Sequence, residues 1–264
     1  MSAIQQGTAG INGELWGARA SDWAEQERQS IPLYREAIAR TGVGPGTKVL
    51  DVGCASGVFA RLAAEAGARV SGLDASEALI ALATERVPGG EFRAGDLQFL
   101  PYPDDSFDVV TAFNSIQFAA DPAAAAAEVK RVTRHGGSVF VVVWGREEQT
   151  ELVAVLRALR PLLPPAPEGD PGPFALSYPG ALERVLKAGG LASEADGYLE
   201  TPFEYPDEES ILRATMSAGV AVLAARRSGE DAVRRALADA LAPFRTSSGA
   251  YHIETEWRFV HARA

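Results

Sequence analysis

Two hydrophobic patterns take turns along this chain. Short, nearly all-apolar runs such as Val49-Leu-Asp-Val52 and Val139-Phe-Val-Val-Val143 alternate with longer stretches showing three-to-four-residue helical spacing. The apolar runs suit strands covered on both faces. The order predicts strands at 48–52, 69–74, 91–94, 107–113 and 138–143. Helices are expected at 57–66, from the Ser76 N-cap to about Val87, and from Asp121 through the alanine run to Arg134-His135-Gly136. Such alternation predicts an α/β fold: a doubly wound, mostly parallel, Rossmann-like sheet.

Past residue 145 the pattern loosens. Helices are expected at 150–160 and 179–188, with a stiff, proline-rich loop at 164–173 between them. Strand-like segments at 191–205 and 251–262 flank a mostly helical stretch at 207–241.

The turn after the first strand carries the clearest chemistry. Gly53, Ala55, Ser56 and Gly57 leave almost no side-chain volume, so a ligand is expected to approach main-chain N–H groups at a helix N-terminus. Asp74 ends the next strand, near the spacing at which a carboxylate holds ribose hydroxyls. A nucleoside-containing cofactor follows. The dinucleotide pattern G-x-G-x-x-G fails at Ala55 and Val58, and Lys48 lacks the Ser or Thr of a Walker loop. Asp51 would repel a pyrophosphate but suits a cofactor bearing an ammonium group. S-adenosylmethionine has that group, a ribose, an adenine and no phosphate.

Residues 47–144 resemble a class I S-adenosylmethionine-dependent methyltransferase of the small-molecule group that includes ubiquinone and menaquinone biosynthesis enzymes. The motif Asp51-Val-Gly-Cys-Ala-Ser-Gly57 departs from the family's Asp-Val-Gly-Cys-Gly-Thr-Gly mainly at Ala55. Gly72-Leu-Asp74, Ala94-Gly-Asp-Leu97, Phe99-Leu-Pro-Tyr-Pro103, Ser106-Phe-Asp-Val-Val110, Asp121-Pro122 and Gly136-Gly137 follow in the family's order. The resemblance implies a seven-stranded sheet with an antiparallel C-terminal edge and a helical cap. It implies that Asp51 and the backbone of Gly53, Cys54, Ala55 and Gly57 contact the methionine part. Asp74, with Ala75 beside it, would hold the ribose. Asp96 would meet the adenine amino group and Leu97 the ring, with Asn114 and Ser115 beneath the sulfonium.

The expected organisation is an N-terminal helical lid (1–40), a cofactor-binding core (41–145) and a C-terminal part (146–264). The last completes the sheet and carries cap insertions near 146–178 and 206–249. A chain of 264 residues that is 47% hydrophobic can hold such a domain with its cap. With 35 acidic and 25 basic side chains the net charge is −10, which disfavours nucleic acid and favours a small-molecule substrate. No basic leader or membrane-length apolar run is visible, so no membrane partner and a cytoplasmic location are expected. The oligomeric state is left open.

Other residues have plainer readings. Cys54, the single cysteine, reads as a small side chain behind the turn rather than a nucleophile. Asp74 could instead cap the following helix. Trp16 and Trp23, seven positions apart, would share one helix face, docking the N-terminal segment or lining a lid. Gln117, Phe118, Trp144, Phe174 and Tyr178 fall where a substrate cavity would be. No metal-ligand spacing appears, and His135 lies on the side away from the pocket. His252 is the one candidate general base, and no catalytic residue is assigned. The alternatives to a methyltransferase are a non-catalytic S-adenosylmethionine-binding protein and a nicotinamide- or flavin-dependent oxidoreductase.

Overall fold

A computed structural model describes residues 7–165 and 172–264. Residues 1–6 of the expected lid, and most of the expected 164–173 loop, lie outside the described residues. Three helices lead in: α1 (Ala9–Gly17), α2 (Ala20–Gln26) and α3 (Ile31–Thr41). There follow β1 (Lys48–Val52), α4 (Val58–Glu65), β2 (Arg69–Asp74), α5 (Glu77–Arg86), β3 (Glu91–Ala94), β4 (Phe107–Phe113), α6 (Pro122–Val132) and β5 (Thr133–Trp144). The C-terminal part contributes α7 (Val153–Leu159), α8 (Ala181–Ala188), β6 (Ala192–Glu200) and β7 (Phe203–Tyr205). It ends with α9 (Glu208–Ser217), α10 (Gly219–Ser228), α11 (Glu230–Leu241), β8 (Tyr251–Ile253) and β9 (Glu256–Arg263).

Among the described residues, seven strands form one sheet in the order β3-β2-β1-β4-β5-β9-β6. The pairs from β3 through β5 are parallel, whereas β9 runs antiparallel to both β5 and β6. The strand order reverses between β1 and β4, and it is beyond the C-terminal strand ends at such a reversal that open α/β sheets bind ligands. Successive residues of β5 explain why its sequence is apolar throughout. Phe140 and Val142 join one core with α3, α4, α9 and α11, while Val139, Val141 and Val143 join another with α6 and α8.

Four local expectations are corrected. Helix α6 stops at Val132, and Thr133 already pairs with Phe107, so Arg134-His135-Gly136 is strand backbone rather than a helix end. Thr133 Oγ donates to the Val129 carbonyl at 2.6 Å, closing the helix earlier than the Gly-Gly signal. The 191–205 segment breaks between β6 and β7 at Thr201-Pro202, because proline has no N–H to give a ladder. The 251–262 segment breaks at Glu254-Thr255, and β7 pairs with β8 in a separate two-stranded sheet. Finally, Trp16 and Trp23 stand on different helices, although their rings still meet edge-to-face at 4.6 Å. No helix among the described residues is long and apolar enough to cross a membrane.

Candidate functional site

β1 feeds into a turn where backbone approaches backbone. Gly53 and Gly57 have φ of +82° and +78°, in the left-handed region that only glycine enters freely. A Cβ on Gly53 would stand 2.3 Å from Ser115 Cβ, and one on Gly57 2.9 Å from Ala83 Cβ. Ala55, the departure from the family motif, also has a positive φ of +45°. It therefore carries a Cβ penalty of roughly 1–2 kcal/mol that glycine would not.

The turn's N–H groups are all spoken for. Gly53 and Cys54 donate to the Leu73 carbonyl at 2.7 and 3.0 Å, and Gly57 donates to the Cys54 carbonyl at 2.9 Å. Ala55 N–H donates to Asp74 Oδ2 at 3.0 Å. Ser56 and Val58 N–H donate to the two carboxylate oxygens of Glu27 at 3.0 and 3.1 Å. The expectation of free main-chain donors is thus corrected: the turn satisfies its own N–H groups, as buried backbone must. No donor from Gly53 through Val58 is left over for a phosphate.

Asp74 is held from two sides, since Oδ1 also accepts the Ser76 N–H at 2.9 Å. Each of its oxygens keeps a further lone pair. Helix α5 is capped by Ser76, whose Oγ accepts the Leu79 N–H at 3.2 Å, so Asp74 is not the cap. Burial raises the Asp74 carboxyl above its ordinary range, against the pull of its backbone donors.

Asp51 is 2% exposed and accepts a 2.7 Å hydrogen bond from Thr111 Oγ on the neighbouring strand. Burial first, then the charges of Glu27 and Asp74, push its carboxyl up to about 8. Cys54 is buried, with its sulfur against Gly72, and burial and the same three acids push its thiol well up. That environment suppresses the thiolate a nucleophile needs.

Asp96 lies two residues beyond β3, half-buried, with Oδ1 accepting the Gln98 N–H at 2.8 Å. Leu97 beside it packs on the α6-side core. Asn114 follows β4 with φ +49°, and its Oδ1 accepts from Gln117 Nε2. Ser115 Oγ donates to the Val52 carbonyl at 2.6 Å, locking this loop to the end of β1. The predicted residues thus gather at the C-terminal ends of β1 to β4.

The N-terminal segment lies on this same surface. A Cβ on Gly13 would come 2.3 Å from the Ala75 carbonyl oxygen, and one on Gly17 2.6 Å from Ser76 Oγ. One on Gly7 would come 1.8 Å from Asp96 Oδ2. Asn12 Nδ2 donates to the Phe118 carbonyl at 3.3 Å, and Thr8 Oγ donates to the same oxygen. Trp16 packs edge-to-face on Phe118 at 5.6 Å.

Glu27 is the site residue that sequence reasoning missed. It sits in a helical run beside exposed Glu25, and no spacing sets the two acids apart. His252, by contrast, is poorly placed for a base. It lies on β8 of the two-stranded sheet, 2.9 Å from Glu254 and 3.4 Å from Glu204, and the Glu254 hydrogen bond leads in holding its ring above the ordinary range. Both of its ring nitrogens are engaged by carboxylates of its own neighbourhood rather than turned toward the β1–β4 strand ends by any hydrogen bond.

These features fit a phosphate-free cationic cofactor: the donors are consumed, while three buried or half-buried carboxylates, Glu27, Asp51 and Asp74, surround the turn.

Comparison with known proteins agrees. The family model described as "Methyltransferase domain" matches residues 50–141. An uncharacterized protein of Mycobacterium tuberculosis is 36% identical over 140 residues, covering 51% of each chain. The chain thus spans about half the length of such mycobacterial relatives. The ubiquinone biosynthesis O-methyltransferase of Aromatoleum aromaticum is 31% identical over 165 residues, covering 61% of this chain and 70% of that protein. Among solved structures, the YcgJ protein of Bacillus subtilis superposes with a TM-score of 0.58 at 22% identity, covering 87% of this chain and 97% of that one. Fold, matched segment and relatives converge on one conclusion: the chain belongs to the S-adenosylmethionine-dependent methyltransferase family.

Proposed function

We propose that this protein moves a methyl group from S-adenosylmethionine to a small-molecule metabolite by in-line displacement. The observation that carries this choice is the fate of the turn's N–H groups. A dinucleotide places its pyrophosphate at the N-terminus of the first helix. Here the N–H groups of Ser56 and Val58 are held by the Glu27 carboxylate, and a pyrophosphate would meet that charge. This disfavours the oxidoreductase alternative on geometry as well as on motif.

In the proposed arrangement Asp51 and the backbone of Gly53, Cys54, Ala55 and Gly57 contact the methionine end, whose ammonium group needs acceptors and not the N–H groups already used within the turn. Asp74 holds both ribose hydroxyls, with Ala75 alongside. Asp96 and Leu97 hold the adenine, and Asn114 stands beneath the sulfonium. When bound, the cofactor supplies an activated methyl group. The protein's part is alignment and exclusion of water. Bringing two bound reactants into line contributes on the order of 7–11 kcal/mol, so no strong acid or base is required.

We further propose that residues 1–40 act as a lid on the 41–145 core, and that 146–264 complete the sheet with cap segments near 146–178 and 206–249. The contacts of Gly7, Gly13 and Gly17 with Asp96, Ala75 and Ser76 support a lid. The charge of −10 favours a metabolite over nucleic acid. A cytoplasmic location is proposed as well; the single buried Cys54 calls for no oxidising compartment.

The test is transfer of labelled methyl from S-adenosylmethionine into a metabolite extract. Label in a small molecule supports the proposal. Retention of the cofactor with no transfer to any metabolite would favour the binding-only alternative.

A further inference from the structure

Glu27 reaches the cofactor turn from 29 positions upstream of Ser56, and every group bonded to it is a donor. Its Oε2 accepts the Ser56 N–H and the Ser56 hydroxyl, and its Oε1 accepts the Val58 N–H. The guanidinium of Arg86 on α5 lies 4.0 Å away and itself donates to the Ser56 carbonyl and Oγ. Only 4% of Glu27 is exposed. The N-cap of α4 is Gly57, which has no side chain to cap the helix. A helix start leaves N–H groups without intrahelical partners, and Glu27 supplies the acceptor for the first of them, Val58, as well as for Ser56 in the turn before it.

We propose that Glu27 is a positioning residue for the cofactor turn, holding Ser56 and Val58 in the bend that receives the methionine end of S-adenosylmethionine. This rests on the cofactor assignment above. The carboxylate ties three parts together: the N-terminal segment, the turn and, through Ser56, α5. Without it the turn must be ordered at the moment of binding, and affinity falls by that cost. A carboxylate suits the place and an amide does not. The NH₂ of a glutamine would point a donor at N–H groups.

Protonation has the same effect as the amide, because one oxygen then carries a hydrogen. Burial raises the Glu27 carboxyl to about 7, against the pull of Ser56, Val58 and Arg86. The other titratable groups electrostatically coupled to it are Tyr34 from α3, Asp51 from β1 and Cys54 from the turn.

The experiment is titration calorimetry of the full chain with S-adenosylhomocysteine at pH 8 and pH 6, for the unaltered protein, Glu27→Gln and a Glu25→Gln control. Circular dichroism establishes that each is folded. The expected result is at least tenfold weaker binding by Glu27→Gln at pH 8, with the two proteins converging at pH 6, and no change in the control. A Kd within twofold at pH 8 would overturn the proposal. So would an equal offset at both pH values, which is what a merely structural role produces. Should Glu27→Gln fail to fold, Ser56→Ala decides: at least threefold weaker binding at pH 8 supports the role, and unchanged affinity overturns it. Absence of binding by the unaltered protein would instead remove the cofactor assignment, and this role with it.

Discussion

The N–H of Ala55 donates to Asp74 Oδ2 at 3.0 Å, so the strained residue of the turn and the acid ending β2 form one unit. Ala55 holds φ at +45°, in the region that favours glycine. Ala55→Gly removes the Cβ penalty but loosens the unfolded chain, leaving a net gain of about 0.5–1 kcal/mol. A higher melting temperature and equal or tighter S-adenosylhomocysteine binding are expected. A lower melting temperature would show that the alanine methyl packs usefully.

Asp74→Ala removes the acceptor for both Ala55 and Ser76, along with the proposed ribose contact. Loss of a buried partner of two N–H groups costs about 1–3 kcal/mol for each group left unsatisfied. S-adenosylhomocysteine affinity should fall by more than a hundredfold while far-UV circular dichroism stays native. Unchanged affinity by calorimetry would remove Asp74 from the site.

Asp51 makes stability depend on pH. Its carboxyl moves from 3.8 up to about 8 on folding, chiefly by burial, so the unliganded fold keeps a proton that the unfolded chain releases. The resulting stability is complete below about pH 4 and is lost as pH rises through 8. The loss is on the order of a few kcal/mol. The melting temperature of the unliganded protein should therefore fall between pH 5 and 9, and Asp51→Asn should flatten that fall. The substituted amide keeps an acceptor for Thr111 but no charge for an ammonium group, so the same variant should bind S-adenosylmethionine less well. Parallel melting curves for the two proteins across that range would contradict this.

Much of this was legible along the chain. Continuous apolar runs gave the buried strands, and the bare turn and Asp74 marked the site. Two kinds of feature were not. Boundaries failed where long-range pairing overrode local signals: β5 begins at Thr133 because Phe107 is there to pair with it, whatever Gly136-Gly137 suggests. The split at Pro202 did leave a sign, a proline inside an apparent strand. Glu27 left none, because its role depends on partners 29 and 31 positions away. Nor does a bare turn reveal that its own N–H groups are already taken.

His252, the one candidate general base, is expected to be dispensable for methyl transfer. Its ring is tied to Glu254 and Glu204 on the two-stranded β7–β8 sheet, and both pairs favour the cation. His252→Ala should leave labelled-methyl transfer within twofold of the unaltered rate. A large loss in that assay would restore it as a base.

Calorimetric titration of the intact protein with S-adenosylhomocysteine and, separately, with NAD asks most directly what the site at the C-terminal ends of β1, β2 and β4 accepts. One-to-one saturation by the thioether, alongside no heat from the dinucleotide, is the predicted pair of results. Saturable NAD binding without any uptake of S-adenosylhomocysteine would contradict the account at its root.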